Sequence, residues 1–109
     1  MTAGIVTDAI DTAGRVRDAG HLRPFRHAVS DFVRVLGAVP DESADTVSND
    51  DVRVLMGLGE DVIDRIETRV ADIPSAADAQ TLVSAVYEIR RLLEEVSQWR
   101  RHYAIARHP

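Results

Sequence analysis

The sequence contains no cysteine, which excludes a disulfide framework, thiolate-ligated metals and a thiol nucleophile. The absence fits a reducing compartment. Lysine is missing too, and all 13 basic residues are arginine. With abundant Ala, Val and Asp and a single asparagine, Asn49, this reads as the codon bias of a GC-rich gene rather than a local need for bidentate guanidinium geometry. Aromatics are scarce: Phe25, Phe32, Tyr87, Trp99 and Tyr103. A core must therefore be built from Val, Ile, Leu and Ala. No apolar run approaches the ~20 residues that cross a bilayer. Residues 1–10 carry Asp8 and no basic residue, unlike the positive start of a secretory signal. The expectation is a cytoplasmic protein with no membrane contact. Strand-like alternation, internal repeats and low-complexity tracts are also absent.

What is present suffices for one folded unit. The 109 residues are 45% hydrophobic, enough for a core and for a single domain over 1–109. The net charge of −5 is unevenly spread: +1 over 1–40, −8 over 41–80 and +2 over 81–109. The acidic middle opposes wrapping by nucleic acid and leaves a local basic patch at either end. Nucleic acid is thus an improbable partner except at the arginine-rich end.

Apolar residues recur at helical spacing throughout. Val6, Ala9, Ala13 and Val16 define a first helix over about 2–19, with Gly20 as its stop. Pro24 suits the first position of a second helix, with Phe25, Val29, Phe32 and Leu36 as its stripe, ending at Gly37. Residues 38–47 form a polar loop. Ser48 and Asp51 then stand three apart ahead of an apolar run, a capping-box signal. The third helix spans about 49–72, with a seam of Val52, Met56, Gly59, Ile63, Ile66 and Val70. Gly57 and Gly59 each cost about 1 kcal/mol there, and a continuous but bent helix is expected. Ser75 and Asp78 repeat the start signal for a fourth helix over about 76–106. Its stripe is Leu82, Val86, Ile89, Leu93, Val96 and Tyr103, flanked by Ala85, Leu92 and Trp99. The expected fold is all-α: a single-domain antiparallel bundle of about four helices with a long C-terminal helix.

The lengths do not match. At 1.5 Å per residue the fourth helix is ~45 Å long and the second ~20 Å. Some of Leu92, Val96, Trp99 and Tyr103 should then stay uncovered in a lone copy, and exposed apolar surface marks an interface. With Arg100 and Arg101 beside them, these residues form the candidate partner-binding surface, for a homodimer or another helical protein. The expected function is a non-enzymatic helical interaction or assembly module, with no cofactor and no metal.

The alternative is catalytic. Arg101 and His108 are separated by six residues, and Arg15 and His21 by five. This Arg-x(4–6)-His spacing, with polar His102 after Arg101, resembles the signature of HEPN-type ribonucleases, small helical bundles that dimerise. The resemblance implies a metal-independent, toxin-type ribonuclease in which Arg101 steadies the phosphate and His108 assists attack by the 2′-hydroxyl. Two weaker constellations concern metals. His27 and Asp31 share a helix face and, with His102, sketch part of a carboxylate–histidine iron site. Asp61 and Asp64 resemble half of the paired acidic motifs of all-helical nucleotide pyrophosphohydrolases. Solvated ion pairs are the better reading of both.

Overall fold

The computed structural model describes residues 4–42 and 46–107, with side chains as far as His102. The chain forms α1 (Ile5–Asp18), α2 (Leu22–Ala38), a short 3-10 turn (Val39–Asp41), α3 (Asn49–Val70) and α4 (Ala76–Arg107). Among the described residues there is no strand, so the all-α bundle is what forms.

Each helix begins where local chemistry permits. At α3, Ser48 Oγ accepts from Asp51 N (3.1 Å) and Asp51 Oδ2 accepts from Ser48 N (3.0 Å), a reciprocal cap. Ser75 opens α4 in a similar way, its Oγ accepting from Asp78 N at 3.3 Å. α2 begins two residues earlier than expected, with His21 at its N-cap and Pro24 inside the first turn. The proline is tolerated because its missing N–H would have no intrahelical acceptor there. The first helical bond comes from the next residue, Phe25 N to His21 O (3.1 Å).

The packed pairs are α1 with α2, α3 with α4, α1 with α3, and α2 with α4. The four helices thus form a square in which α2 and α3 face each other across a diagonal. Arg26 on α2 pairs with Asp78 on α4 at 3.1 Å, so these two helices start at the same end. At that end Arg69 of α3 donates to the carbonyl of Ala19 at 2.8 Å. Its guanidinium also lies 4.5 Å from the centre of the Phe25 ring. One arginine therefore caps the exit of α1 and stacks on the stripe of α2.

The core follows the predicted stripes: Ala9, Ala13 and Val16; Phe25, Val29, Phe32 and Leu36; Ile63 and Ile66; Leu82, Val86, Ile89, Leu93 and Val96. Thr12 is buried among them, and its hydroxyl is satisfied by the carbonyls of Asp8 (2.9 Å) and Ala9 (3.1 Å). α3 is continuous through Gly57 and Gly59. Gly59 is needed for close approach: a Cβ there would lie 2.6 Å from Leu93 Cδ1 and 3.1 Å from its Cγ. Gly57 meets nothing within 4 Å and faces solvent.

The connection from α2 to α3 is more than a polar loop. Val39 and Val47 are fully buried, and the 3-10 turn packs against α4. Burying a valine stabilises by about 1.5 kcal/mol or more. The segment is thus anchored at two points and closes the end of the bundle opposite Arg69.

Candidate functional site

α4 carries every residue of the expected partner-binding surface. Leu92 and Val96 are buried within the single chain, at 6% and 0% exposure. Of the four residues of which some were expected to stay uncovered, these two are therefore covered. Helix lengths alone left the α2–α3 connection out of account, and that connection adds its own cover against α4. Trp99 is half-buried and packs on the edge of the core. Arg100 is half-buried, and Arg101 and His102 are exposed. The side chain of Tyr103 and the whole of His108 lie outside the described residues.

The cations of α4 differ in their company. Arg91 donates to both Glu88 and Glu95, one turn away on either side. The Glu88 hydrogen bond, with the charge of both acids, raises its pKa. Arg90 reaches Glu67 of α3 at 3.9 Å. Arg101, by contrast, donates to a neutral hydroxyl, Ser97 Oγ, at 3.1 Å.

The ribonuclease-like pairs are not assembled by the described residues. Arg15 is held by Asp31 at 3.1 Å and Asp11 at 3.6 Å, and His21 stands exposed at the start of α2. His27 and Asp31 do not cooperate either, because Asp31 accepts from Arg15 and Arg34 (3.0 Å). Asp61 is bonded by Arg65 at 2.9 Å. No group of three or more His, Asp or Glu among the described residues stands close enough to hold a metal ion. No described helix is long and apolar enough to cross a membrane. The exposed large hydrophobics, Ile10, Val54 and Tyr87, sit on three different helices, the scattered kind common on any surface.

One concave site stands out. α2 and α4 leave between them a groove of about 850 Å³. Its floor is apolar, built by Leu22, Val29 and Val33 of α2 and Leu82 and Ala85 of α4. Ser30, Thr81 and Ser84 supply hydroxyls to the walls. Arg23 and Arg26 line it toward the end where both helices start, His27 lies one turn farther along α2, and Glu88 lines it later in α4. A shallower depression between α1 and α2 shares Arg23 and His27 with it. The groove was missed in the sequence. Its signal is the small side chains that line it, Ser30 of α2 and Ser84 and Ala85 of α4, where two neighbouring helices would need bulk to close the gap.

No protein-family model matches the chain, and no curated protein or solved structure matches it either.

Proposed function

We propose that the protein is a non-enzymatic helical interaction module that self-associates through the last turns of α4. The observation that supports this most directly is Arg101, an exposed guanidinium bonded to a neutral hydroxyl, on a helix whose Arg90 and Arg91 are paired with carboxylates. Half-buried Trp99 and exposed His102 stand in the same turns. The matching surface is the outer face of α3 in a second copy, where Asp50, Glu60, Asp64 and Glu67 are exposed. The segment over 41–80 carries −8 and that over 81–109 carries +2, so opposite signs meet when two copies dock tail to flank. Leu92 and Val96 play no part in such a contact, since each copy already hides its own.

Contacts between exposed charges weaken once the Debye length shrinks, from about 10 Å at 0.1 M salt to about 3 Å at 1 M. Sedimentation at tens of micromolar protein should therefore show a dimer at low ionic strength that dissociates at high ionic strength. Arg101→Glu should be monomeric under both conditions. A monomeric wild-type protein at low ionic strength overturns the proposal, as does a dimer that Arg101→Glu leaves intact.

A further inference from the structure

We propose that the α2–α4 groove binds a single-chain apolar carboxylate, a ligand of the fatty-acid class, with its carboxylate at the Arg23 end. The volume of about 850 Å³ falls in the range of small-molecule sites, roughly 300–1,000 Å³. The floor follows α2 over 22–33, which at 1.5 Å per residue is a furrow ~16 Å long. That length matches an extended chain of about twelve carbons. α2 and α4 remain packed against each other, so the furrow runs above a closed seam. A row of methylenes sinks into it, whereas a helix ~10–12 Å across would rest on its lips.

Charge sets the direction of the ligand. Of the three basic side chains that line the groove, Arg26 is committed to Asp78 at 3.1 Å. Arg23 and His27 have no hydrogen-bond or ion-pair partner among the described residues. Asp18 lines the adjoining depression but is bonded by Arg17 at 3.0 Å. Arg23 is thus a guanidinium with five unclaimed donors at the mouth of an apolar furrow, and a carboxylate satisfies it bidentately. At the far end Glu88, held by Arg91, repels a second anion and leaves that end to the methyl terminus. The groove and the Arg101 region occupy different stretches of α4, so ligand binding here does not depend on self-association.

The probes are dodecanoate, dodecanol and dodecyltrimethylammonium, all kept below micelle formation and titrated into the full chain by calorimetry and amide NMR. Dodecanoate should bind saturably, with shifts confined to α2 and the first half of α4. Dodecanol should bind more weakly, and the ammonium most weakly. Arg23→Ala should weaken dodecanoate about tenfold or more, the loss typical of a hydrogen-bonded charge, while leaving dodecanol unchanged. Arg23→Glu should reverse the preference in favour of the ammonium. Arg23 is exposed, so both variants should melt like the wild type. Ala85→Phe, which fills the floor, should abolish binding of all three; Val33→Phe serves if that variant does not fold. The proposal is overturned by absence of saturable binding, by shifts that map elsewhere, by equal affinity for the ammonium, or by an Arg23→Ala variant that holds dodecanoate as tightly as before.

Discussion

α4 packs against two long helices and treats them differently. Against α3 it is sealed: Leu93 is seated on Gly59 so closely that a single added carbon would lie 2.6 Å from its methyl. Against α2, the Arg26–Asp78 pair ties the helices at one end, and a groove of about 850 Å³ opens below it. Both partners present helical stripes of similar apolar character, so hydrophobicity does not explain the contrast. What differs is where the small residues stand. A glycine opposite a large side chain lets two backbones approach. Ser30, Ser84 and Ala85 along the groove leave room that neither helix fills.

The contrast can be broken most severely at Gly59. Gly59→Val should cost about 3 kcal/mol by overpacking and lower Tm by roughly 10 °C or more. In a Leu93→Ala background the same substitution should cost much less, because the clashing methyls are gone. Strict additivity in this cycle would show that the approach of α3 to α4 is not what Gly59 provides. Val47→Ala asks whether the end of the bundle is closed by its connection. Chemical denaturation should show a loss of about 2 kcal/mol, where an ordinary loop site would change stability by less than about 0.5 kcal/mol. Gly57→Ala is the counterpart to Gly59: with open space around it, the same helix should gain about 0.5–1 kcal/mol from the added helix propensity. On the open side, Arg26→Ala should cost less than about 1 kcal/mol, and the loss should shrink in high salt, since both partners are partly exposed. A larger, salt-insensitive loss would mean that α2 and α4 are held there by packing.

The smallest effect lies on neither seam. The Arg17 hydrogen bond, with its charge, holds the Asp18 carboxyl below its ordinary pKa. A group depressed in the folded state contributes stability above its unfolded pKa and loses it as pH falls through the folded value. An NMR titration should therefore place Asp18 lower in the wild type than in Arg17→Ala, with a barely measurable change in acid unfolding because both groups are exposed.

The helices were legible because their signals are local. Periodic apolar residues mark the buried faces, and Ser48 and Ser75 mark two starts through bonds made within one turn. Pro24 misled by two residues because proline is equally at home at any early position where its N–H would be orphaned. The fate of Leu92 and Val96 was not legible. It is a property of the assembled bundle, whose core also takes in Val39 and Val47, valines of a polar stretch with no periodicity to announce them. Arg69 gave no sign of its role either, since a cap on one helix and a stack on another exist only once three helices meet. The groove was hidden for the same reason: missing bulk has meaning only against a known neighbour, and the order of neighbours around the square is a tertiary fact.

The notch at Gly59 also fixes how α4 can respond to anything that enters the groove. Sliding along α3 by one turn, about 5.4 Å, would carry the Leu93 methyls off the glycine and onto Leu55 or Ile63, both fully buried. The axial position of α4 is therefore locked like a pin in a detent. Whatever lies in the furrow therefore meets an α4 wall whose residues keep their height along the bundle.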